Sequence, residues 1–471
     1  MLIIKYFTVL VWLSLFTISD THAEEHTSAS ISNNQQALVN LGLNANCIAE
    51  PIFNGKACLY EANPSAEQTI VFIHGLNASA NSWHQQIARF KSTYHVLAID
   101  LPGFGQSSRG NHLYSPTNYA RLLKFISNQF INKPFYLVGH SMGGAVALRY
   151  SAMYPNDVKR LVIADVGGII HQYSYAKSFT FKWIKLFDLI SYWAGFDIET
   201  MPFMHKLAKE FFSNLDWLPL DIRDALSNPE LRKLILQGNA LTIAGAAVSS
   251  EDFTSAIWHN KIPTLVVWGL YDLITPIRTA NILVSRLQNA RLKILTRSAH
   301  SPMTDQADQF NQLLLTHLTD SDNNLNSQRW HFRRYETSNR IGRCFNERGK
   351  IFKGNYQRIE IMNCKNVFID NVNAESLVAQ HSDITINDSQ FKTQNIAIAL
   401  LNTSLELTST NIFAGVAIQM QDSHIDVAGV NFNVSHATVN NFGQSDAVFS
   451  ASNSNGRILH LYKDLTEKGK Y

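Results

Sequence analysis

The stretch PFYLVGHSMGGAVALRYSAMY, Pro134 to Tyr154, decides the fold of the larger part of the chain. It opens as an apolar run of strand type and closes as an apolar run of helix type, with GHSMGG, Gly139–Gly144, between them. A G-x-S-x-G turn in that context lifts a serine hydroxyl away from a sheet, and the flanking glycines let the backbone bend sharply and pack closely. The helix that follows brings free N–H groups and positive potential to the same point. Ser141 is therefore the candidate nucleophile, against the plainer reading of a structural serine in a strand-to-helix turn.

Working outward, TIVFIHG (Thr69–Gly75), HVLAIDLPG (His95–Gly103), LVIADVGG (Leu161–Gly168), TLVVWG (Thr264–Gly269) and RLKIL (Arg291–Leu295) all read as buried strands. Helical spacing separates them, as at Leu122, Leu123, Ile126 and Phe130, and returns after the last strand through Phe310 and Leu314. Strands alternating with helices predict a parallel sheet covered on both faces, an α/β fold. Residues 169–255 interrupt this order with helical patterning dense in aromatics, among them Tyr173, Trp183, Trp193, Phe211 and Trp217. A segment of that length without strand character reads as a helical lid.

Five pieces agree in order with a known family: His74-Gly75, DLPGFGQS (Asp100–Ser107), GHSMGG, WGLYDLITP (Trp268–Pro276) and SAHSPM (Ser298–Met303). Over about Ala45–Leu318 the chain resembles the α/β-hydrolase superfamily, in particular its lidded esterases, lipases and carbon–carbon bond hydrolases. The resemblance implies a nucleophile, an acid and a base in the order Ser141, Asp272, His300. An alcohol is nearly inert at neutral pH, so it needs a base in hydrogen-bond reach and a carboxylate to orient that base. The superfamily more often has glycine before this histidine, where Ala299 stands here. Asp165, after the preceding strand, is the rival acid, with a turn-capping residue as its plainer reading. Backbone N–H groups of Leu76 and Met142 are the expected oxyanion donors. His74 and Asp100 read as structural, the first orienting its loop and the second anchoring the PGFG turn. A serine at 141 argues against epoxide hydrolases and haloalkane dehalogenases of this fold, which use aspartate. No metal or organic cofactor is implied. The expected reaction is cleavage of a carboxylic ester through an acyl-enzyme, the aromatic lid favouring a medium or long acyl chain or an aromatic ester. A carbon–carbon bond or thioester substrate would use the same triad.

After the Asn-rich linker DSDNNLNSQ (Asp320–Gln328) the pattern changes. Pairs Val367/Ile369, Ile384/Ile386, Leu405/Leu407 and Ile425/Val427 recur at separations of 17, 21 and 20 residues. Each leads to a further apolar position, Val372, Phe391, Ile412 and Val430, with Asn, Ser and Asp at the corners. Such a repeat predicts a C-terminal all-β domain built as a parallel β-helix, with a small antiparallel sandwich as the competing arrangement. His381, His424 and His436 lack ligand spacing and read as solvent-facing corners. The polar repeat surface suggests glycan or cell-surface contact.

Residues 1–23, with Lys5, an apolar run from Tyr6 to Ile18 and small Ala23, read as a signal peptide. The run is short of the roughly 20 residues a bilayer span needs. The expected layout is a signal peptide at 1–23, a hydrolase domain at 24–320, a linker at 321–330 and a repeat domain at 331–471 in an exported, periplasmic or secreted protein. Cys47 with Cys58 and Cys344 with Cys364 form two local pairs that suit disulfides in an oxidising compartment, against four free thiols. With 45% hydrophobic and 16% charged residues the composition fits a globular protein, and a net charge of +3 without a basic stripe is too small to imply a nucleic-acid partner, so none is expected.

Overall fold

The computed structural model describes residues 36–170, 226–322, 324, 331–332, 334–336, 338–459 and 463–464. The expected signal peptide, the lid aromatics between Tyr173 and Trp217, and most of the 321–330 linker lie outside the described residues.

One sheet holds β1 (Asn44–Glu50), β2 (Gly55–Ala62), β3 (Thr69–Ile73), β4 (His95–Asp100), β5 (Phe135–His140), β6 (Val158–Ala164), β7 (Thr264–Gly269) and β8 (Ala290–Leu295). Its spatial order is β1-β2-β4-β3-β5-β6-β7-β8. The strands from β4 to β8 pair in parallel, as the alternating pattern predicts. The edge pair β1 and β2 is antiparallel, and Cys47 stands opposite Cys58 and is bonded to it. Alternate residues feed two cores. Val71, Ile73, Leu97, Ile99 and Leu137 join one cluster, whereas Ile70, Phe72, Val96, Ala98 and Val138 join the other. Strands buried on both faces read as continuous apolar runs, which is why they are legible in the sequence.

Helices among the described residues include α1 (His84–Phe90), α2 (Pro116–Phe130), α3 (Met142–Met153), α4 (Pro229–Ile235), α5 (Ala240–Ser250), α6 (Thr254–Trp258), α7 (Ile277–Arg286), α8 (Pro302–Asp305) and α9 (Ala307–Thr319). Ser115 caps α2 by accepting from the Asn118 N–H at 3.2 Å, with Pro116 in the first turn. Within residues 226–255 the chain forms α4, α5 and the start of α6, with Asn228 and Asn239 capping α4 and α5. Among the described residues no helix is long and apolar enough to cross a membrane.

A second sheet runs from β9 (Ile341–Phe345) to β22 (Lys463–Asp464). The repeated pairs stand in parallel register: Val367, Ile384, Leu405 and Ile425 in one column, Ile369, Ile386, Leu407 and Val427 in the next. Within this sheet, among the described residues, antiparallel pairing occurs only between β19 (Asp446–Ser450) and β22, and between β20 (Ser452–Ser454) and β21 (Arg457–Leu459). The third apolar column differs from the expected one. Phe391 and Ile412 align with Ala374 and Phe432, and Val372 and Val430 instead stand at corners, where their N–H groups donate to Ser389 Oγ and Ser452 Oγ.

Those corners explain the Ser, Thr, Asn and Asp content. His381, Asn402 and Asp422 have positive φ and precede Ser382, Thr403 and Ser423. The N–H of Cys364 donates to Ser382 Oγ, that of Ser382 to Thr403 Oγ1, and that of Thr403 to Ser423 Oγ. Each hydroxyl in turn donates to a carbonyl two residues back. Buried backbone groups that the ladders leave at the bends are thereby satisfied. Of the three histidines expected at solvent-facing corners, only His381 stands at a bend, with positive φ; His436 lies on β18 (Asn431–Phe442), and His424 on β17 (His424–Ala428), its Nδ1 2.6 Å from Asp446 Oδ2. Cys344 and Cys364 form the second disulfide, and no described cysteine is free.

Leu407 is fully buried in the repeat core. Leu407→Ala is expected to destabilise the protein by about 2–5 kcal/mol, read as a fall in the denaturant midpoint.

Candidate active site

The elbow is built from close backbone contact. Ser141 has φ 51° and ψ −119°, an arrangement that L residues rarely adopt. A side chain on Gly139 would meet the Gly143 carbonyl at 2.2 Å, and one on Gly143 would meet the carbonyls of Ile73 and His74 at 2.3 and 2.4 Å. Helix α3 can therefore start directly against β5 and the end of β3. The Ser141 N–H donates to the Ala164 carbonyl at 2.9 Å, and its carbonyl accepts from Gly144 and Ala145 at 3.0 and 3.2 Å. These bonds hold a backbone strain of about 1–3 kcal/mol.

The ends of β7 and β8 bring the other two residues to this point. His300 Nε2 is 3.1 Å from Ser141 Oγ, and His300 Nδ1 is 2.9 Å from Asp272 Oδ2. Asp272 Oδ1 accepts from the N–H groups of Ile274 and Thr275 at 2.7 and 3.0 Å, and Oδ2 also accepts from the Thr275 hydroxyl. Burial pushes the Asp272 carboxyl up, but His300, the Thr275 hydroxyl and Asp165 outweigh it and lower it to about 2. Asp272 is thus an anion, and its bond to Nδ1 leaves Nε2 facing the serine as acceptor.

Asp165 is fully buried beside this pair. Its Oδ1 accepts from the Gly269 N–H at 3.0 Å. Donor atoms of Asp165, Asp272 and His300 lie within 4.8 Å of one another, a grouping a metal ion would also suit. The facing atoms of Asp272 and His300 are directed at each other, however, which is the geometry of a hydrogen-bonded chain. Burial, the Asp272 charge and the hydrogen bond to Asp272 raise Asp165 well above the usual carboxylate range. A proton held on Asp165 lets it donate to Asp272, because two adjacent buried carboxylates do not both ionise.

Leu76 and Met142 flank the elbow. Met142 opens α3, so its N–H lies outside the helix's own ladder. Gly75 lies close enough that an added side chain would meet Ser141 Cβ at 3.1 Å, which puts the adjoining Leu76 beside the serine. His74 bridges two loops: its Nδ1–H donates to the Gly75 carbonyl at 2.7 Å and its Nε2 accepts from the Leu101 N–H at 3.0 Å. Burial lowers its pKa and keeps the ring neutral. Asp100 accepts from the Ala80 N–H at 2.7 Å and the Gln106 N–H at 2.8 Å, tying down the PGFG turn.

Three supporting groups carried no distinct signal in the sequence. His140 donates from Nε2 to the His300 carbonyl, and burial together with the neighbouring His300 lowers it to about 3. Asp305 accepts from the Ala299 N–H at 2.8 Å and steadies the loop before His300. Thr275 supplies two of the donors on Asp272. Each is an ordinary residue until the fold brings its partner near.

The sequence model described as alpha/beta hydrolase fold matches residues 68–307. Lipase 1 of Psychrobacter immobilis is 25% identical over 313 residues, covering 64% of this chain and 93% of that protein. The human monoacylglycerol lipase ABHD6 is 24% identical over 290 residues, covering 57% of this chain and 81% of that protein. Among solved structures, a putative lipase from Acinetobacter baumannii AYE is 26% identical with a TM-score of 0.42, covering 62% of this chain and 97% of that one. The family match spans half of the chain, and the chain belongs to the alpha/beta hydrolase fold family.

Proposed function

We propose that the protein is a serine hydrolase that cleaves carboxylic esters through an acyl-enzyme, with Ser141 as nucleophile, His300 as base and Asp272 as orienting acid. The observation that carries this reading is the continuous hydrogen-bond path from Ser141 Oγ through His300 to Asp272. Similarity to a lipase and a monoacylglycerol lipase supports an ester as the substrate class. In the first step Ser141 Oγ attacks the acyl carbonyl while His300 Nε2 takes its proton. Negative charge collects on the carbonyl oxygen, where the N–H groups of Met142 and Leu76 receive it. His300 then gives the proton to the departing alcohol. Water, deprotonated by His300, attacks the acyl carbonyl on Ser141; the acyl–Oγ bond then breaks, His300 returns the proton to Ser141 Oγ, and the acid is released. A medium or long acyl chain fits the aromatic content of residues 169–255.

In the same reading residues 1–23 are an export signal, 24–320 the hydrolase domain and 331–471 a repeat domain. Two disulfides support an oxidising compartment, periplasmic or extracellular. A second reading gives the repeats a glycan-binding role. Phe345, Met362, Gln380, Leu401, Gln421 and Phe442 align in one parallel column. Phe442 is 52% exposed, so an aromatic face and amide groups are offered together. Phe442→Ala is expected to weaken retention of the full chain on immobilised polysaccharide without changing ester turnover; equal retention removes this role.

On a series of chromogenic esters of increasing acyl length, Ser141→Ala is expected to lower kcat by roughly 10⁴-fold or more. Hydrolysis that survives the substitution means that the nucleophile is another group. Asp165→Asn, which keeps a donor toward Asp272 and an uncharged side chain, is expected to retain most activity. A raised carboxyl contributes stability that is complete below its unfolded pKa and fades as pH rises toward its folded pKa. The melting temperature of Asp165→Asn should therefore gain on the wild type from acidic to alkaline pH.

A further inference from the structure

Helix α7 begins directly after the loop that holds Asp272, and it is buried on two sides. Ala280, Leu283, Val284 and Leu287 belong to the hydrolase core. Arg278, Ile282 and Arg286 share the opposite face by their i, i+4 spacing and meet the repeat region. Arg278 donates from Nε to Thr408 Oγ1 at 2.7 Å and from Nη1 to Asp426 Oδ2 at 2.8 Å. Its Nη2 donates to Asp426 Oδ1 and to the Asp426 carbonyl, both at 3.2 Å. Asp426 is 1% exposed and Glu406 lies 3.6 Å from the same guanidinium. Farther along the helix, Arg286 donates to the carbonyls of Gly429 and Thr410 at 2.6 and 2.9 Å and to Asn411 Oδ1 at 2.9 Å. A side chain on Gly429 would run into Ile282 at 3.0 Å, and Ala428 and Ala451 of the repeats join the hydrolase core.

We propose that the repeat region is a positioning partner of the catalytic site, and that the buried Arg278–Asp426 pair fixes the start of α7 and thereby the loop that aims Asp272 at His300. The inference rests on the reading of Asp272 as the orienting acid. A bidentate Arg–carboxylate pair fixes orientation as well as distance. Arg278 is joined to Thr275 by a short run of backbone through Pro276, whose φ is locked. Thr275 donates to both oxygens of Asp272 through its N–H and hydroxyl. Displacing Arg278 would therefore move donors that set the carboxylate against the imidazole. Arg278 and Asp426 are positioning residues, since neither touches the reacting atoms.

The test uses the full chain and a soluble chromogenic ester. Asp426→Asn and the milder Thr408→Val each weaken the grip on Arg278. Trp258→Phe is the control, at the other end of the interface, where the indole N–H donates to the Ala451 carbonyl at 2.8 Å. Asp426→Asn is expected to lower kcat about tenfold or more with KM nearly unchanged, and Thr408→Val to do so less. The acid limb of the kcat/KM profile should move to lower pH, because an imidazolium with a misaligned carboxylate loses its proton more readily. Loss of stability alone would not move that limb. Trp258→Phe should leave both readouts at the wild-type value. If Asp426→Asn does not fold, the pair Arg278→Met/Asp426→Leu, which removes both charges without stranding one, is measured instead, with the same expected fall in kcat. Folded variants with wild-type kcat and an unmoved acid limb overturn the inference. Asp272→Asn in the same series separates the two possible failures. If it inactivates the enzyme while the interface variants do not, only the positioning role is lost. If it leaves activity intact, the assignment of the acid is lost and the inference with it.

Discussion

The arrangement depends on one steric allowance: the absence of side chains at Gly139 and Gly143, which lets α3 begin in backbone contact with β3 and β5. Without that approach the left-handed turn at Ser141 would not close, and its hydroxyl would lie among the sheet's own side chains. The strain is local, and the hydrogen bonds to Ala164, Gly144 and Ala145 oppose it. From this bend the rest of the geometry is a matter of convergence. The parallel strands β6, β7 and β8 end on the same edge and deliver Asp165, Asp272 and His300 to a common point.

The electrostatics of the site follow from burial. His74 and His140 are held neutral, so neither competes with His300 for a positive charge. Asp272 is held ionised by donors on both oxygens, and Asp165 takes the opposite state beside it. Two carboxyl groups of the same chemistry thus differ in charge because one is surrounded by donors and the other is not. This division keeps a single negative charge behind the His300 imidazole.

What could be read from the sequence was whatever depends on local spacing. The buried strands appear as β-branched runs, the elbow as a motif in its strand-to-helix setting, and the cysteine pairs as near neighbours. Features that depend on side chains reaching across the fold were not legible. Asp305 steadies the His300 loop, His140 holds its carbonyl, and Arg278 meets Asp426 across 148 residues of sequence. The repeats show the same division. The columns headed by Val367 and Ile369 follow the spacing of the sequence, whereas the third does not, since Val372 and Val430 fall at corners. Left-handed residues at the bends change the register by an amount that hydropathy does not record.

The proposed nucleophile is the Ser141 hydroxyl, activated by His300. The most direct measurement is treatment of the intact protein with a fluorophosphonate, followed by mass-spectrometric mapping of the modified peptide. One phosphonyl group is expected, on Ser141, and it is expected to disappear when His300 is replaced by alanine. Modification at a different residue, or ester hydrolysis by a protein whose Ser141 stays unlabelled, would contradict the assignment of Ser141.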